Sequence, residues 1–379
     1  MAKTRSIFEE VGTSEKPAVV PSAERRPKRG GARGPIAAWL ILLFLLVALM
    51  IAVGGLTRLT DSGLSITEWK PVTGALPPMD DAAWTAEFDK YRATPQAEIL
   101  NKDMTLGQFK AIYWWEWGHR QLGRTIGLVW AAGFLWFLAR RQIPPGWVPR
   151  LLGLGLLGGL QGAIGWWMVA SGLTGSMVSV ASYRLAIHLG IGFAILGLIA
   201  WFVLQLQRSE GELLQARRQR SQRMARWGLA LVATGFLQVL LGALVAGIDA
   251  GRNFPEWPLM AGQFVPPGLF ELEPAWRNFL ENPGLVQFTH RMVAYLLLTL
   301  ALVAWLRSRS SALGSIRRGF ASAFHMTLLQ VALGIATALY AAPWPIAITH
   351  QVGAMALFVL ILRARFLALY PRPERIARG

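Results

Sequence analysis

The sequence predicts an all-α polytopic membrane protein: eight transmembrane helices arranged as two parallel-repeat four-helix bundles. Three observations predict it. Several apolar runs exceed the roughly 18–20 residues needed to cross a bilayer. Basic residues alternate between loops in a topology-setting pattern. An internal repeat relates the two halves of the chain, with one constant offset across its two outward loops.

The predicted spans lie near 35–57, 118–139, 150–170, 184–206, 226–247, 286–306, 318–339 and 345–366. Residues 1–34, with Arg25, Arg26, Lys28, Arg29 and Arg33, read as a disordered basic cytoplasmic tail. They carry no cleavage-site pattern, so the run beginning near Pro35 reads as an uncleaved first span. The chain then divides into a first bundle at 35–206, a cytoplasmic linker at 207–225, a second bundle at 226–366 and a tail at 367–379. With these spans, the side holding the N-terminus carries 26 Lys or Arg against 7 acids, and the opposite side 12 against 14. That asymmetry predicts both termini in the cytoplasm and a multi-pass protein of the cell inner (plasma) membrane. The net charge of +17 therefore belongs to topology and lipid contact and not to nucleic acid. Arg217, Arg218, Arg220, Arg223 and Arg226 are the densest such run, facing anionic membrane lipid.

The repeat is clearest after spans one and five. GGLTRLTDSGLSITEWKPVTGALPP (54–78) aligns without a gap to GALVAGIDAGRNFPEWPLMAGQFVP (242–266) at an offset of 188. The offset pairs Gly54 with Gly242, Asp61 with Asp249, Glu68 with Glu256, Trp69 with Trp257 and Pro78 with Pro266. Such residues set turns and interfacial anchors, so the two loops are expected to share a backbone path. Gly118-His119-Arg120 corresponds to Thr289-His290-Arg291, and Leu160-Gln161 with Gly165 to Leu329-Gln330 with Gly334. Four spans per repeat is an even number, hence parallel repeats related by an axis along the membrane normal. In the first outward loop, Trp84, Phe88 and Tyr91, then Leu106, Phe109, Ile112 and Tyr113, have helical spacing. They suit an interfacial helix or a cap on the bundle.

Four of the five histidines fall in two pairs, His119 with His188 and His290 with His350. Each lies in the first few residues of a predicted even-numbered span, so all four sit near the outer boundary. An imidazole among apolar helices is costly without a partner. Two facing imidazoles per bundle suit the two faces of a haem iron. A mononuclear zinc or copper site competes, but it needs a third or fourth ligand, for which Glu116 is the nearest source. With no cysteine in the chain, disulfides, thiolate ligation and cysteine-held iron–sulfur clusters are excluded. His325, near the cytoplasmic end of span seven, has no counterpart in the first repeat and reads as non-ligating.

Glu116 precedes His119 by three residues and shares its helix face, whereas the second repeat has Gln287 there. This asymmetry suits one reactive site and one electron-transfer or structural site. A charged residue at a wet span end is the plainer alternative. Arg120, Arg184 and Arg291 suit haem propionates or simple anchoring at span ends. Asp61 and Asp249 suit turns. The glycines of span three (Gly153, Gly155, Gly158, Gly159, Gly162, Gly165) suit close helix approach or room for a flat ligand.

Together GGLTRLTDSGLSITEWKPVTGALPP, EWGHRQLGR, FTHR and THQ resemble the haem A synthase family over about residues 35–366. The resemblance implies a pseudo-twofold pair of four-helix bundles that oxidises the C8 methyl of haem O to a formyl group, giving haem A for terminal oxidase assembly. It implies haem b iron between His290 and His350, substrate haem O iron between His119 and His188, and Glu116 as the catalytic acidic residue. Haem O synthase, an electron-transfer partner, oxidase assembly factors and a second copy of the chain are the partners that go with this reading. Many family members carry a cysteine pair in the first outward loop, so the chain resembles a cysteine-free subgroup. A bis-histidine di-haem electron-transfer protein, with two permanent haems and no haem substrate, is the alternative reading. A transporter is disfavoured, since no span has a midplane Pro or Gly break beside charged residues.

Overall fold

A computed structural model of the chain describes residues 32–372. Of the predicted tails at 1–34 and 367–379, residues 1–31 and 373–379 lie outside the described residues, while 33–34 belong to α1 and 367–369 to α12, where the helices run past the apolar spans. Twelve α-helices occur among the described residues: α1 (Arg33–Leu59), α2 (Asp81–Arg92), α3 (Pro95–Ile99), α4 (Leu106–Ala139), α5 (Val148–Gly172) and α6 (Ser182–Leu206), then α7 (Glu210–Arg218), α8 (Gln222–Gly247), α9 (Asn278–Glu281), α10 (Pro283–Ser308), α11 (Gly314–Leu339) and α12 (Trp344–Leu369). Eight of them (α1, α4, α5, α6, α8, α10, α11 and α12) are long and apolar enough to cross a membrane. No named strand occurs among the described residues, only the isolated bridge of Met260 with Gln263.

The long helices pack in two closed rings. α1 and α5 each touch both α4 and α6, and α8 and α11 each touch both α10 and α12. Across the divide, α1 meets α12, α6 meets α8, and α6 meets α12. One apolar core fills the first ring and extends onto Met355 and Phe358 of α12. A second, with Leu231, Leu297, Phe320 and Ile361, fills the other ring. Apolar side chains on the outer faces, such as Leu45, Leu128, Leu156 and Leu296, stay exposed, as lipid-facing positions should.

The predicted second span needs correction at its start. It was expected from residue 118, but α4 begins at Leu106 and runs unbroken for 34 residues. At 1.5 Å per residue that is about 51 Å, well beyond a hydrocarbon core of about 30 Å. A capping box starts it, with the Thr105 side chain on Gln108 N–H and the Gln108 side chain returning to Thr105 N–H. Nothing between 106 and 118 breaks the helix, and Gln108, Lys110 and Glu116 among its Trp and Tyr residues keep its mean hydropathy too low to read as a span. His119 thus lies deep within its helix, whereas His188, His290 and His350 lie near the starts of α6, α10 and α12.

The projecting part of α4 carries a small core of its own. Phe109 and Tyr113 pack against Trp84, Phe88 and Tyr91 of α2, with Ile66 and Ala97. Asp80 caps α2 through Ala83 N–H at 2.7 Å, and Thr94 caps α3. Of the two arrangements open to these aromatics, they form a cap standing on the first ring. The other outward loop is mostly irregular and is held by buried Asn278 and Asn282. Asn278 bonds the main chain of Leu272 and Ala275, and Asn282 bonds Gly268 O and caps α10 at Leu285 N–H.

Asp61 and Asp249, matched by the repeat offset, both adopt the left-handed conformation, with φ of 50° and 53°. Asp tolerates that region better than most residues, which explains its presence at each loop's first turn. On the opposite face the linker is tied down. Arg33 donates to Gln205 O and Arg208 O, Arg208 donates to Tyr370 O, and Ser221 N–H bonds Ala368 O.

Candidate functional site

Each of the four paired histidines lies against a glycine of the neighbouring helix. His119 of α4 rests on Gly54 of α1, where a Cβ would sit 3.1 Å from Nε2. His290 of α10 rests on Gly242 of α8, at 3.2 Å from Cε1. His188 of α6 rests on Gly165 of α5 at 2.9 Å, and His350 of α12 on Gly334 of α11 at 3.2 Å, again measured to Cε1. The sequence repeat matches Gly54 with Gly242 after spans one and five, and Gly165 with Gly334 in spans three and seven. Their physical role is now clear: only the absence of a side chain lets an imidazole lie flush on the next helix.

Within each ring the two imidazoles are near enough to interact electrostatically, His119 with His188 and His290 with His350. Nδ1 of His188 and Nδ1 of His350 are buried without a hydrogen-bond partner. Among the described residues, no three of His, Asp and Glu gather to hold a metal ion, so the third ligand of a mononuclear site is not supplied. Paired imidazoles, one of each pair with an unpartnered ring nitrogen, and glycine-cleared surroundings fit a haem iron. His325 belongs elsewhere. It is exposed, bonds Ala321 O of its own helix at 2.8 Å and packs edge-on to Trp305 and Phe324.

Glutamines that apolar periodicity does not single out complete the surroundings. Gln161 of α5 donates to His188 O at 2.9 Å, Gln238 of α8 to His290 O at 3.1 Å, and Gln330 of α11 to His350 O at 3.1 Å. Gln238 Nε2 also lies 3.2 Å from each ring nitrogen of His290. Their spacing from the cradle glycines was the available signal.

Glu116 is 2% exposed and fully engaged. Its Oε2 accepts from Ser65 Oγ and Ile66 N–H, both at 2.8 Å. Its Oε1 accepts from Arg120 Nε at 3.1 Å and Nη2 at 2.6 Å. Arg120 continues to the loop, bonding Ile66 O at 2.7 Å and Glu68 O at 2.9 Å. In the second repeat Arg291 bonds Phe254 O at 3.0 Å and Leu259 O at 3.1 Å, and Phe254 is the offset partner of Ile66. Both arginines thus clamp the same point of the two outward loops onto the histidine-bearing helix. Gln287 keeps only a 3.5 Å bond to Phe254 O, and its Oε1 has no partner. Arg184 bonds Trp167 O at 2.8 Å and stacks over the Trp167 ring.

Above Arg120, a cavity of about 380 Å³ opens between the loop and the cap, lined by Ile66, Tyr113 and Arg124 among others. At its rim Glu68 lies 2.7 Å from both Lys70 and Lys90. These bonds hold the Glu68 carboxyl below its ordinary range, and the Glu68 and Glu87 carboxylates hold the Lys90 ammonium above its own.

Comparison with known proteins now bears on this arrangement. Residues 37–362 match the model of a family described as cytochrome oxidase assembly protein, COX15-CtaA. The chain belongs to this family. A protein of Ruegeria pomeroyi named heme A synthase is 60% identical over 373 residues, covering 98% of each chain. One of Dinoroseobacter shibae with the same name is 60% identical over 376 residues, covering 98% of this chain and 97% of its own. A third, from Paracoccus denitrificans, is 59% identical over 376 residues, covering 99% of this chain and 98% of its own. The family match spans all eight long helices and therefore both histidine pairs.

Proposed function

We propose that the chain oxidises the C8 methyl of haem O to a formyl group, with the substrate held in the first ring between His119 and His188. A resident haem b is held in the second ring between His290 and His350. That the chain is an enzyme of haem A biosynthesis rests on its family and on full-length identity to heme A synthases. The observation that carries the finer reading is the inequality of two otherwise matched sites: His119 has a buried carboxylate, Glu116, one turn away, and His290 has an amide, Gln287.

The net reaction removes four electrons: R–CH3 + H2O → R–CHO + 4 H+ + 4 e−. Two successive hydroxylations and loss of water from a gem-diol are its simplest course. When bound, haem b supplies one-electron redox chemistry, and an electron-transfer partner takes up the electrons. The protein's own residues position and shelter the substrate. The imidazoles of His119 and His188 take the iron, Gly54 and Gly165 keep the ring faces clear, and Glu116 holds a negative charge at the loop side. Its bonds to Arg120, Ser65 and Ile66 fix where that charge sits, one helical turn from His119, where it would hold or move a proton.

The charge asymmetry supports placement in the plasma membrane with both termini cytoplasmic. The closed rings, with α1 on α12 mirrored by α6 on α8, support the two-bundle division at 35–206 and 226–366 and a parallel repeat. Haem O passed on by haem O synthase, and delivery of product toward oxidase assembly, fit so insoluble a substrate.

Extracting the haems after expression with and without a source of haem O tests the function. Haem A is expected only with that source. Haem O returned unchanged would instead indicate a di-haem electron carrier. Replacing His290 or His350 by Met is expected to alter the low-spin spectrum of the resident haem, and an unaltered spectrum would refute the ligand assignment.

A further inference from the structure

Three of the four histidines share a two-residue clasp. Four residues before each cradle glycine stands a glutamine on the same helix: Gln161 before Gly165, Gln238 before Gly242 and Gln330 before Gly334. One turn apart, the two face the same neighbour. The glycine admits the imidazole, and the glutamine bonds that histidine's main-chain carbonyl. In all three, Oε1 is buried with no partner. In two of the three, the amide nitrogen that holds the carbonyl also lies beside the ring, 3.5 Å from His188 Nε2 and 3.2 Å from both ring nitrogens of His290.

The fourth histidine breaks the pattern. Before Gly54 stands Met50. Its thioether has no N–H to give a carbonyl, and its Cε lies against Gly123, one turn past His119. The second ring therefore has both histidines clasped, and the first ring has only His188 clasped.

We propose that Met50 leaves His119 as the releasing ligand of the first ring, and that the Gln-x-x-x-Gly clasps make the other three histidines retaining ligands. This rests on the assignment of substrate to the first ring and resident haem to the second. A site that turns over must let its product go, whereas a resident group must stay through every cycle. The clasp ties a histidine's backbone to the adjacent helix, so its ring keeps one position whether or not iron is present. Losing such outer partners typically costs about 10–100-fold in metal affinity. Met, with three rotatable bonds, gives way where a bonded amide does not.

The test uses the full-length protein purified with haem b and loaded with haem O. An excess of a haem-scavenging apoprotein is added, and the loss of each haem is followed by extraction. Met50→Gln is expected to slow haem O loss about tenfold or more, with haem b loss unchanged. Gln238→Met is expected to speed haem b loss by a similar factor, with haem O loss unchanged. Met50→Gln adds a bonding group without removing one, so it decides the matter even where Gln238→Met folds poorly. An unchanged haem O loss rate in Met50→Gln overturns the proposal. A His290→Met arm separates the two levels. A haem b spectrum that survives it refutes the assignment of haems to rings. A spectrum that collapses while Met50→Gln releases haem O at the parent rate refutes the clasp alone.

Discussion

Arg58 of α1 reaches across the divide between the two rings to place Nη2 2.7 Å from Asp249 Oδ2 of the second repeat. Its Nη1 lies 2.8 Å from Asp61, the residue that the repeat offset matches to Asp249. One guanidinium thus joins two equivalent aspartates, and its own offset position in the second repeat is Ala246. Both aspartates are well exposed, which limits the pair's contribution to about 1 kcal/mol. Arg58→Ala is expected to lower thermal stability slightly, with the loss shrinking at high salt. A loss unaffected by salt would show that packing, and not charge, joins the rings here.

Glu116 combines a structural duty with the proposed catalytic one, and the two can be parted. Glu116→Gln keeps an oxygen for Ser65 and Ile66 but leaves the partly buried Arg120 without its counter-charge. Haem A yield is expected to fall at least about 100-fold while the second-ring haem spectrum is retained. Full yield in Glu116→Gln would show that the carboxylate's charge is dispensable.

The cradle glycines offer a substitution whose helix effect and site effect oppose each other. Alanine in a helix interior is favoured over glycine by about 1 kcal/mol. At Gly165 a Cβ would press to 2.9 Å on the His188 ring, and at Gly242 to 3.2 Å on the His290 ring. Gly165→Ala is expected to weaken haem O binding, and Gly242→Ala to perturb the haem b spectrum, with no loss of helicity by circular dichroism. Unchanged spectra and binding would mean that these rings do not need the flush fit.

A second glycine pairs with a residue next to a candidate ligand. Gln351, directly after His350, crosses to α1 and donates to Ile51 O at 2.7 Å. A Cβ on Gly55 would overlap its carboxamide. The repeat-related contact is apolar, with Leu189 after His188 and Ala243 in place of Gly55, both in one buried cluster. Gly55→Ala alone is expected to destabilise the fold, and Gln351→Leu added to it to restore part of the loss. Strict additivity in that double-mutant cycle would deny the coupling.

The rim of the outer cavity has its own pH signature. Glu68's carboxyl titrates below its ordinary value of about 4.3, so its contribution is present above that value and lost as pH falls beneath it. Proteolytic nicking of the first outward loop is expected to rise on acidification, and Glu68→Gln to show the raised rate already at neutral pH. A loop equally resistant in Glu68→Gln would show that these ion pairs do not hold it.

Much of this was legible in the sequence because its signals are local. Span positions followed from apolar runs, and the two loops declared their kinship through Asp61 and Asp249, whose left-handed turns need a tolerant residue. Glu116 and Gln287 stood apart by simple alignment of the repeats. What stayed hidden involves contact between helices. The arginines looked free for propionates because nothing local shows that Arg120 and Arg291 are bound to Ile66 and Phe254 carbonyls. Gln161, Gln238 and Gln330 each stand four residues before a glycine, but only the packing reveals which carbonyl each meets. The outer third of α4 was legible as helical spacing, but its continuity with span two was not, because hydropathy reports lipid contact while Phe109 and Tyr113 bury themselves against protein.

That unbroken helix has a consequence for how the first ring is aligned. His188, His290 and His350 take their depth from helix starts close at hand, which loop and headgroup can shift by a residue's length. His119 takes its depth from a capped rod seated among Trp84, Phe88 and Tyr91. The cap and the His119 imidazole ride on one unbroken helix, so the cap serves as a datum for that ring.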